Sequence, residues 1–469
     1  MKTKKITLPT KPLPSAPPLR KMIGPSFILL GLGLGSGEVI MWPYLAAHYG
    51  MGIIWGAVIG LTFQFVMNME IERYALARGE SVFMGFRRLF RGAPLWFVAS
   101  TFVPWMWPGI AAASAVLIGH ILGITSTSYI AMGLLVVMGL ILSLGPVLYK
   151  TVESLQKILI MVGVPSIFII SILLAGPADW GAVASGIVGK GDGFWFLPAG
   201  ISVTAFLGAL AYAGAGGNLN LAQSFYVKEK GFGMGKYAGR ITSLLTGKAE
   251  DISLTGTQFA ITPSSRREFA RWWRRINIEH FLVFWLTGSV TIVLLSLLAY
   301  TTVFHGGTSD ATINFVIAEG MAIGERLLPA AGMFFMIVAA STLFGTQLTV
   351  FDATSRIISE NIVIGTPRLT KARQIPTIYY IVLWLQIVAG IVILSFGFQQ
   401  PLQLLTLAAT LNAFAMFVHC GLTLYLNKKT LPHAIAPGRL RTLAMVIACV
   451  FYGGFSLYVI VTELQKILH

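Results

Sequence analysis

Charge is scarce in this sequence. Only 11% of its residues are Asp, Glu, Lys or Arg, where a soluble domain carries about 25%. A chain so poor in charge cannot cover a water-facing surface, and 55% of it is hydrophobic, with a mean hydropathy of +0.76. A bilayer suits such a chain, because hydrocarbon asks only that backbone polar groups be paired internally. Cysteine is nearly absent too. Cys420 and Cys449 lie in apolar stretches, which excludes a disulfide framework and zinc-finger spacing and leaves them as small packing residues. Acids are outnumbered by bases, giving a net charge of +16. The Lys and Arg stand between apolar stretches, as topology signals do, and no nucleic-acid module accompanies them. There is no nucleophile–base constellation, zinc signature or phosphate-binding loop, so neither an enzyme nor a cofactor is expected.

What the chain has instead is long apolar runs. A spanning helix needs roughly 20 apolar residues, and eleven stretches qualify: 22–48, 51–77, 95–123, 127–147, 153–175, 195–226, 277–304, 327–356, 377–396, 401–426 and 441–465. If they alternate across the membrane from a cytosolic N-terminus, all Lys and Arg but Lys190, Arg326 and Lys466 fall on the cytosolic side. The positive-inside rule therefore puts the N-terminus in and the C-terminus out, in a membrane whose composition fits a bacterial inner membrane. Residues 1–21, basic and rich in proline, lack a signal-peptide pattern and are expected to form a disordered cytosolic tail. The longest connection, 227–275, holds an acidic pair (Glu250, Asp251) and a basic run from Arg266 to Arg275. It is expected to be a cytosolic loop that meets anionic headgroups.

Glycine is unevenly placed. The first stretch carries Gly31, Gly33, Gly35 and Gly37, and the sixth carries Gly214, Gly216 and Gly217. Each glycine costs about 1 kcal/mol against alanine inside a helix. Both clusters open a set of five stretches, and Gly35 and Gly216 lie 181 residues apart. Interrupted helices at corresponding places in two halves point to a binding site at the membrane midplane. Freed carbonyls there suit a cation, and half-helix N-termini suit an anion. Glu38 directly follows the first cluster, with no other charge between Lys21 and Glu70. An acid at membrane depth is expensive, so it is expected to ligate a cation or carry a proton.

The segments Gly24-Pro25-Ser26-Phe27, Gly35-Ser36-Gly37-Glu38 and Ala46-Ala47-His48-Tyr49-Gly50 resemble the first helix of the natural resistance-associated macrophage protein (Nramp) family of metal transporters. The likeness continues through Gly216-Gly217-Asn218-Leu219, Phe344-Gly345-Thr346-Gln347 and Leu411-Asn412-Ala413-Phe414, so it spans most of the chain. The resemblance implies a leucine-transporter-type fold: an all-α polytopic membrane protein of 11 helices. Two inverted five-helix repeats, 22–175 and 195–426, would be followed by one helix at 441–465. The departures concern the metal. The family's Asp-Pro-Gly-Asn aligns with Gly35-Ser36-Gly37-Glu38, so its metal-binding Asp is missing. Its Met-Pro-His aligns with Ala215-Gly216-Gly217, so its thioether is missing. Where it carries proton-linked acids, this chain has Trp107 and Ile110. The family's tenth-helix Gln is matched by Asn412.

The expected substrate site is therefore Gly35, Ser36, Glu38, Ala215, Gly216, Asn218 and Asn412, with Gly33, Gly37, Gly214 and Gly217 breaking the helices. Glu38, Asn218 and Asn412 would be the metal ligands, an oxygen set that suits Mg²⁺, Ca²⁺ or Mn²⁺. The leading expectation is a secondary transporter of such an ion by alternating access. The alternatives are a Na⁺- or H⁺-coupled carrier of a small organic solute on the same fold, and a non-transporting sensor. Asp352 lies roughly 21 Å of helix rise beyond Val338 and is expected to pair with Arg356 near the cytosolic end. Glu70 and Glu72 are read as interfacial partners of Arg73, and Gln64 and Asn68 as interhelical hydrogen-bonders.

Overall fold

The computed structural model describes residues 8–144, 148–191, 193–239, 253–304, 313–366, 374–398 and 400–468. Among the described residues, ten helices are long and apolar enough to cross a membrane. They are α1 (Pro25–Tyr49), α2 (Met51–Arg78), α3 (Ala93–Leu122), α4 (Thr127–Leu144), α5 (Lys150–Leu174), α7 (Pro263–Thr302), α8 (Pro329–Gly365), α9 (Ile375–Ser395), α10 (Pro401–Thr430) and α11 (Arg439–Thr462). The remaining apolar stretch forms α6 in pieces: Val203–Ala211, a 3₁₀ turn Gly217–Ala222, and Gln223–Glu229. The protein is an integral, multi-pass α-helical membrane protein.

Burial sorts these helices into a centre and a rim. The apolar window of α1 is 94% buried, whereas those of α4, α5 and α11 are each 28% buried. The rim faces carry exposed Tyr129, Ile158, Met161, Leu173 and Val450, which is what lipid contact asks of a helix surface. Proline helps set the boundaries. Pro25, Pro263, Pro329 and Pro401 occupy the first helical position, where the missing N–H costs nothing. Pro104 and Pro108 instead divide α3 around Met106 and Trp107. At 37 residues, α8 rises about 55 Å, well beyond a hydrocarbon core of about 30 Å. Its last turns therefore stand outside the membrane.

Two sequence expectations are corrected here. Residues 8–21 are not a disordered tail; residues 1–7 lie outside the described residues. Proline cannot donate, so an extended proline-rich segment offers its carbonyls to others. Trp272 Nε1 donates to Pro14 (2.7 Å), Arg275 Nη1 to Ala16 (2.6 Å) and Pro17 (2.7 Å), and Tyr237 to Pro12 (2.9 Å). Likewise the basic run 266–275 is not loop but the first turns of α7, begun by Thr262, whose Oγ1 accepts from Ser265 N–H. Its donors are what the tail lacks. The acidic pair Glu250 and Asp251 lies outside the described residues.

Candidate functional site

The α6 interruption is a true break in helical backbone. Past Ala211 the chain turns through Gly216 (φ +76°) and Gly217 (φ +51°), a left-handed region where only glycine is unstrained. Backbone groups freed at membrane depth must find partners within the protein. Gln64 of α2 supplies two: its Oε1 accepts from Gly216 N–H (3.2 Å) and its Nε2 donates to the Ala211 carbonyl (3.1 Å). The Gly217 carbonyl is met by His419 Nε2 (2.9 Å) and Asn220 Nδ2 (3.3 Å). A Cβ on Gly217 would stand 1.8 Å from Asn412 Oδ1, and one on Gly214 would stand 2.7 Å from Gln64 Oε1. The break is thus packed from both sides, with Ala215 fully buried inside it.

Helix α1 behaves differently from the sequence expectation. It does not unwind at its glycines but widens into a π-helix over Leu34–Met41, between α-helical Pro25–Gly33 and Trp42–Tyr49. A π segment keeps most of its backbone hydrogen-bonded while shifting the side-chain register, so α1 does not leave the helix as α6 does. The glycines serve close approach instead. A Cβ on Gly37 would stand 1.6 Å from the Tyr212 carbonyl oxygen, and one on Gly33 would stand 2.7 Å from the Gly214 backbone. On another face, the Thr346 hydroxyl of α8 accepts from Gly35 N–H (2.9 Å) and donates to the Gly31 carbonyl (2.8 Å).

The polar side chains expected at the site lie around this α1–α6 contact but face different neighbours. Glu38 points toward α7, its Oε1 about 3.5 Å from where a Gly288 Cβ would be. Asn218 points toward α3, where Nδ2 donates to Ser100 (2.8 Å) and Thr101 (3.0 Å). The Ser100 hydroxyl is itself committed to the Trp96 carbonyl (2.7 Å), which makes it an acceptor for the Asn218 amide. Asn412 directs Nδ2 to the Tyr212 hydroxyl (3.2 Å), and Trp105 stacks on Tyr212 with 5.5 Å between rings. Both amides spend their donors on protein. What remains is a set of buried oxygens without a hydrogen-bond partner: Glu38 Oε1 and Oε2, Ser36 Oγ, Asn218 Oδ1 and Asn412 Oδ1. Each such orphan costs about 1–3 kcal/mol. Among the described residues no group of three or more His, Cys, Asp or Glu is arranged to hold a metal.

Toward the face that carries the Lys and Arg, the helices are tied by buried ion pairs. Arg356 Nε holds both Asp352 oxygens (2.8 and 2.9 Å) as the four-residue spacing suggests, but Nη1 also binds Glu229 of α6, and Tyr379 of α9 donates to Asp352 (2.9 Å). Arg73 pairs with Glu70 (2.8 Å), whereas Glu72 turns the other way, to Gln223 and His280. Sequence reasoning missed Ser100, Thr101, Tyr212 and His280. Only their burial within apolar runs could have singled them out.

The fold has known counterparts. Crystal structures of three variants of the Eremococcus coleocola manganese transporter match with a TM-score of 0.72 and 12% identity, covering 99% of this chain and 92% of that one. Mhp1, a nucleobase-cation-symport-1 family transporter in a closed conformation with bromovinylhydantoin bound, matches at 0.59 and 11%, covering 98% of this chain and 96% of that one. No family model and no curated sequence matches the chain. At these identities the likeness is one of fold, and that fold is the leucine-transporter type.

Proposed function

We propose that this protein is a secondary active transporter whose cargo is a hard divalent cation, Mg²⁺, Mn²⁺ or Ca²⁺, moved by alternating access around the α6 break. The observation that carries the reading is a set of buried oxygens without a hydrogen-bond partner, at Glu38, Ser36, Asn218 and Asn412. A cation answers acceptors that have no donors. An all-oxygen set with one carboxylate suits hard ions and gives a soft thioether no part. The glycine hinge at Gly216 and Gly217 lets the two parts of α6 reorient, and movement of α6 against α1 and α10 would bring Glu38, Asn218 and Asn412 onto one ion. A manganese transporter among the fold counterparts supports the class. With the basic face cytosolic, the N-terminus lies inside.

The single carboxylate and the Mhp1 likeness support a second reading, a Na⁺- or H⁺-coupled carrier of a small organic solute. One experiment separates them. Purified protein is titrated calorimetrically with Mg²⁺, Mn²⁺ and Ca²⁺, wild type beside Glu38→Gln, and uptake of the same ions is followed in proteoliposomes. Saturable binding and uptake, both lost in the variant, is the expected result. Absence of both in wild type, with thermal stabilisation by amines or nucleobases instead, would overturn the cation in favour of the solute.

A further inference from the structure

Away from the α6 break, four helices meet at a cluster of ionisable groups that cargo binding does not use. Ser26 comes from the start of α1, Glu72 from α2, Gln223 from the second part of α6, and Glu279 and His280 from α7; each is at most 2% exposed. Ser26 Oγ lies 2.5 Å from Glu279 Oε2 and 2.7 Å from His280 Nδ1. Gln223 Nε2 lies 2.5 Å from Glu72 Oε1, and His280 Nδ1 lies 3.3 Å from that same oxygen. Gly24 N–H reaches Glu279 Oε1 at 3.4 Å.

The protons in this cluster can be counted. Ser26 has one hydroxyl proton, and against a carboxylate oxygen it donates. Its oxygen must then accept from His280, so the imidazole proton sits on Nδ1. That leaves His280 Nε2 without a partner, in a ring stacked between Phe65 (5.5 Å) and Phe284 (4.7 Å). Glu72 Oε2 is also without a partner. If both carboxylates were ionised and the imidazole neutral, two negative charges would share a buried site with no cation in contact. The cations around it are engaged elsewhere. Arg441 of α11 is bound to Asn277 and lies over Trp273 at 5.5 Å, Lys230 beyond α6 pairs with Glu153 (2.8 Å), and Arg73 of α2 pairs with Glu70. Like carboxylates in one buried site do not both ionise readily, and the site acquires a proton instead.

We propose that the Glu72–His280–Glu279 cluster is a proton-binding site in which one exchangeable proton, carried on Glu72 Oε2, latches the start of α1 and the second part of α6 against α2 and α7. With the proton bound, Glu72 is neutral and the Gln223 and His280 contacts hold the four helices together. When it leaves, Glu72 and Glu279 repel across Ser26, and the junction on the basic face loosens. The consequence for transport rests on the reading given above; the proton site itself does not.

The test is infrared difference spectroscopy of the purified full-length protein during a pH titration, following the C=O stretch of protonated carboxyl groups, for wild type, Glu72→Gln, Glu279→Gln and Glu38→Gln. A band that disappears with rising pH in wild type and Glu38→Gln and is lost in Glu72→Gln supports the site. The same band in all four proteins overturns it. Thermal unfolding gives a second readout that needs no spectroscopic assignment: wild type should lose more stability toward alkaline pH than Glu72→Gln does. Equal pH dependence in the two would overturn the latch. ⁵⁴Mn²⁺ exchange in proteoliposomes keeps the two proposals apart. Exchange that falls with rising pH in wild type and stays level in Glu72→Gln supports the latch. No exchange in wild type, with the titrating band intact, would remove the cation reading and leave the proton site standing.

Discussion

Gly37→Ala is the sharpest perturbation of the α1–α6 contact. The added Cβ would stand 1.6 Å from the Tyr212 carbonyl oxygen, where real contacts do not fall below 3.0 Å. Both partners are backbone, so no side-chain rotation relieves the clash, and the two helices must part by about 1.4 Å. Overpacking a well-filled interior costs about 1–3 kcal/mol and more where backbone must shift, so this variant belongs at or above the top of that range. Gly133→Ala is the control: nothing lies within 4 Å of its Cβ position on α4, and alanine there gains about 1 kcal/mol of helix propensity. Thermal unfolding in detergent, read from tryptophan fluorescence, should show Gly37→Ala well below wild type and Gly133→Ala level with it or above. A Gly37→Ala protein that melts with the wild type would refute the tight α1–α6 packing, and with it the view that these glycines serve close approach.

Other perturbations test other links. Gln64→Leu strands the Gly216 N–H and the Ala211 carbonyl at about 1–3 kcal/mol each, and should lower the melting point by more than Gln64→Glu, which keeps the acceptor. Arg356→Met leaves Asp352 and Glu229 buried without their cation, a loss of about 3–5 kcal/mol; neutralising both acids as well should recover much of it in a chemical-denaturation assay. Glu319, in the short helix Asn314–Arg326 outside the spanning helices, has its carboxyl raised well above the usual glutamate range by burial. The folded protein therefore keeps a proton that the unfolded chain has lost, and stability falls as pH rises from the ordinary glutamate value toward the raised one. Glu319→Gln should melt above wild type at neutral pH and together with it in acid.

How much of this could be read from the sequence depends on which force sets each feature. Span number and position were legible because hydrocarbon imposes one coarse requirement, length of apolar run, and the eleven stretches correspond to the ten membrane-length helices among the described residues and the divided α6. The tail and the start of α7 were not legible. Composition cannot show that the carbonyls of Pro14, Ala16 and Pro17 meet the donors of Trp272 and Arg275, because that pairing crosses more than 250 residues. Glu72 shows the same limit on a smaller scale. Its neighbour Arg73 suggested a local ion pair, but one residue along a helix turns a side chain by about 100°, enough to direct Glu72 to α6 and α7 while Arg73 stays with Glu70.

The two glycine clusters show why matched sequence signals need not mean matched structures. Both raise the cost of an ordinary α-helix, and that shared cost is all that spacing reveals. Which way the backbone then goes depends on what surrounds it. Around Gly216 and Gly217, side chains from α2 and α10 are placed to take the freed backbone groups, so the chain can leave the helix altogether. Around Gly33 and Gly37 the neighbour is the α6 backbone itself, and Thr346 takes only the Gly31 carbonyl and the Gly35 N–H, so α1 stays helical and expands to a π turn. Glu38 follows from that choice. In the π segment it faces Gly288 on α7. On the cation reading proposed above, bringing these oxygens onto one ion would require α1 and α6 to move relative to each other, and the α1–α6 contact would then be the element that links cargo to conformation.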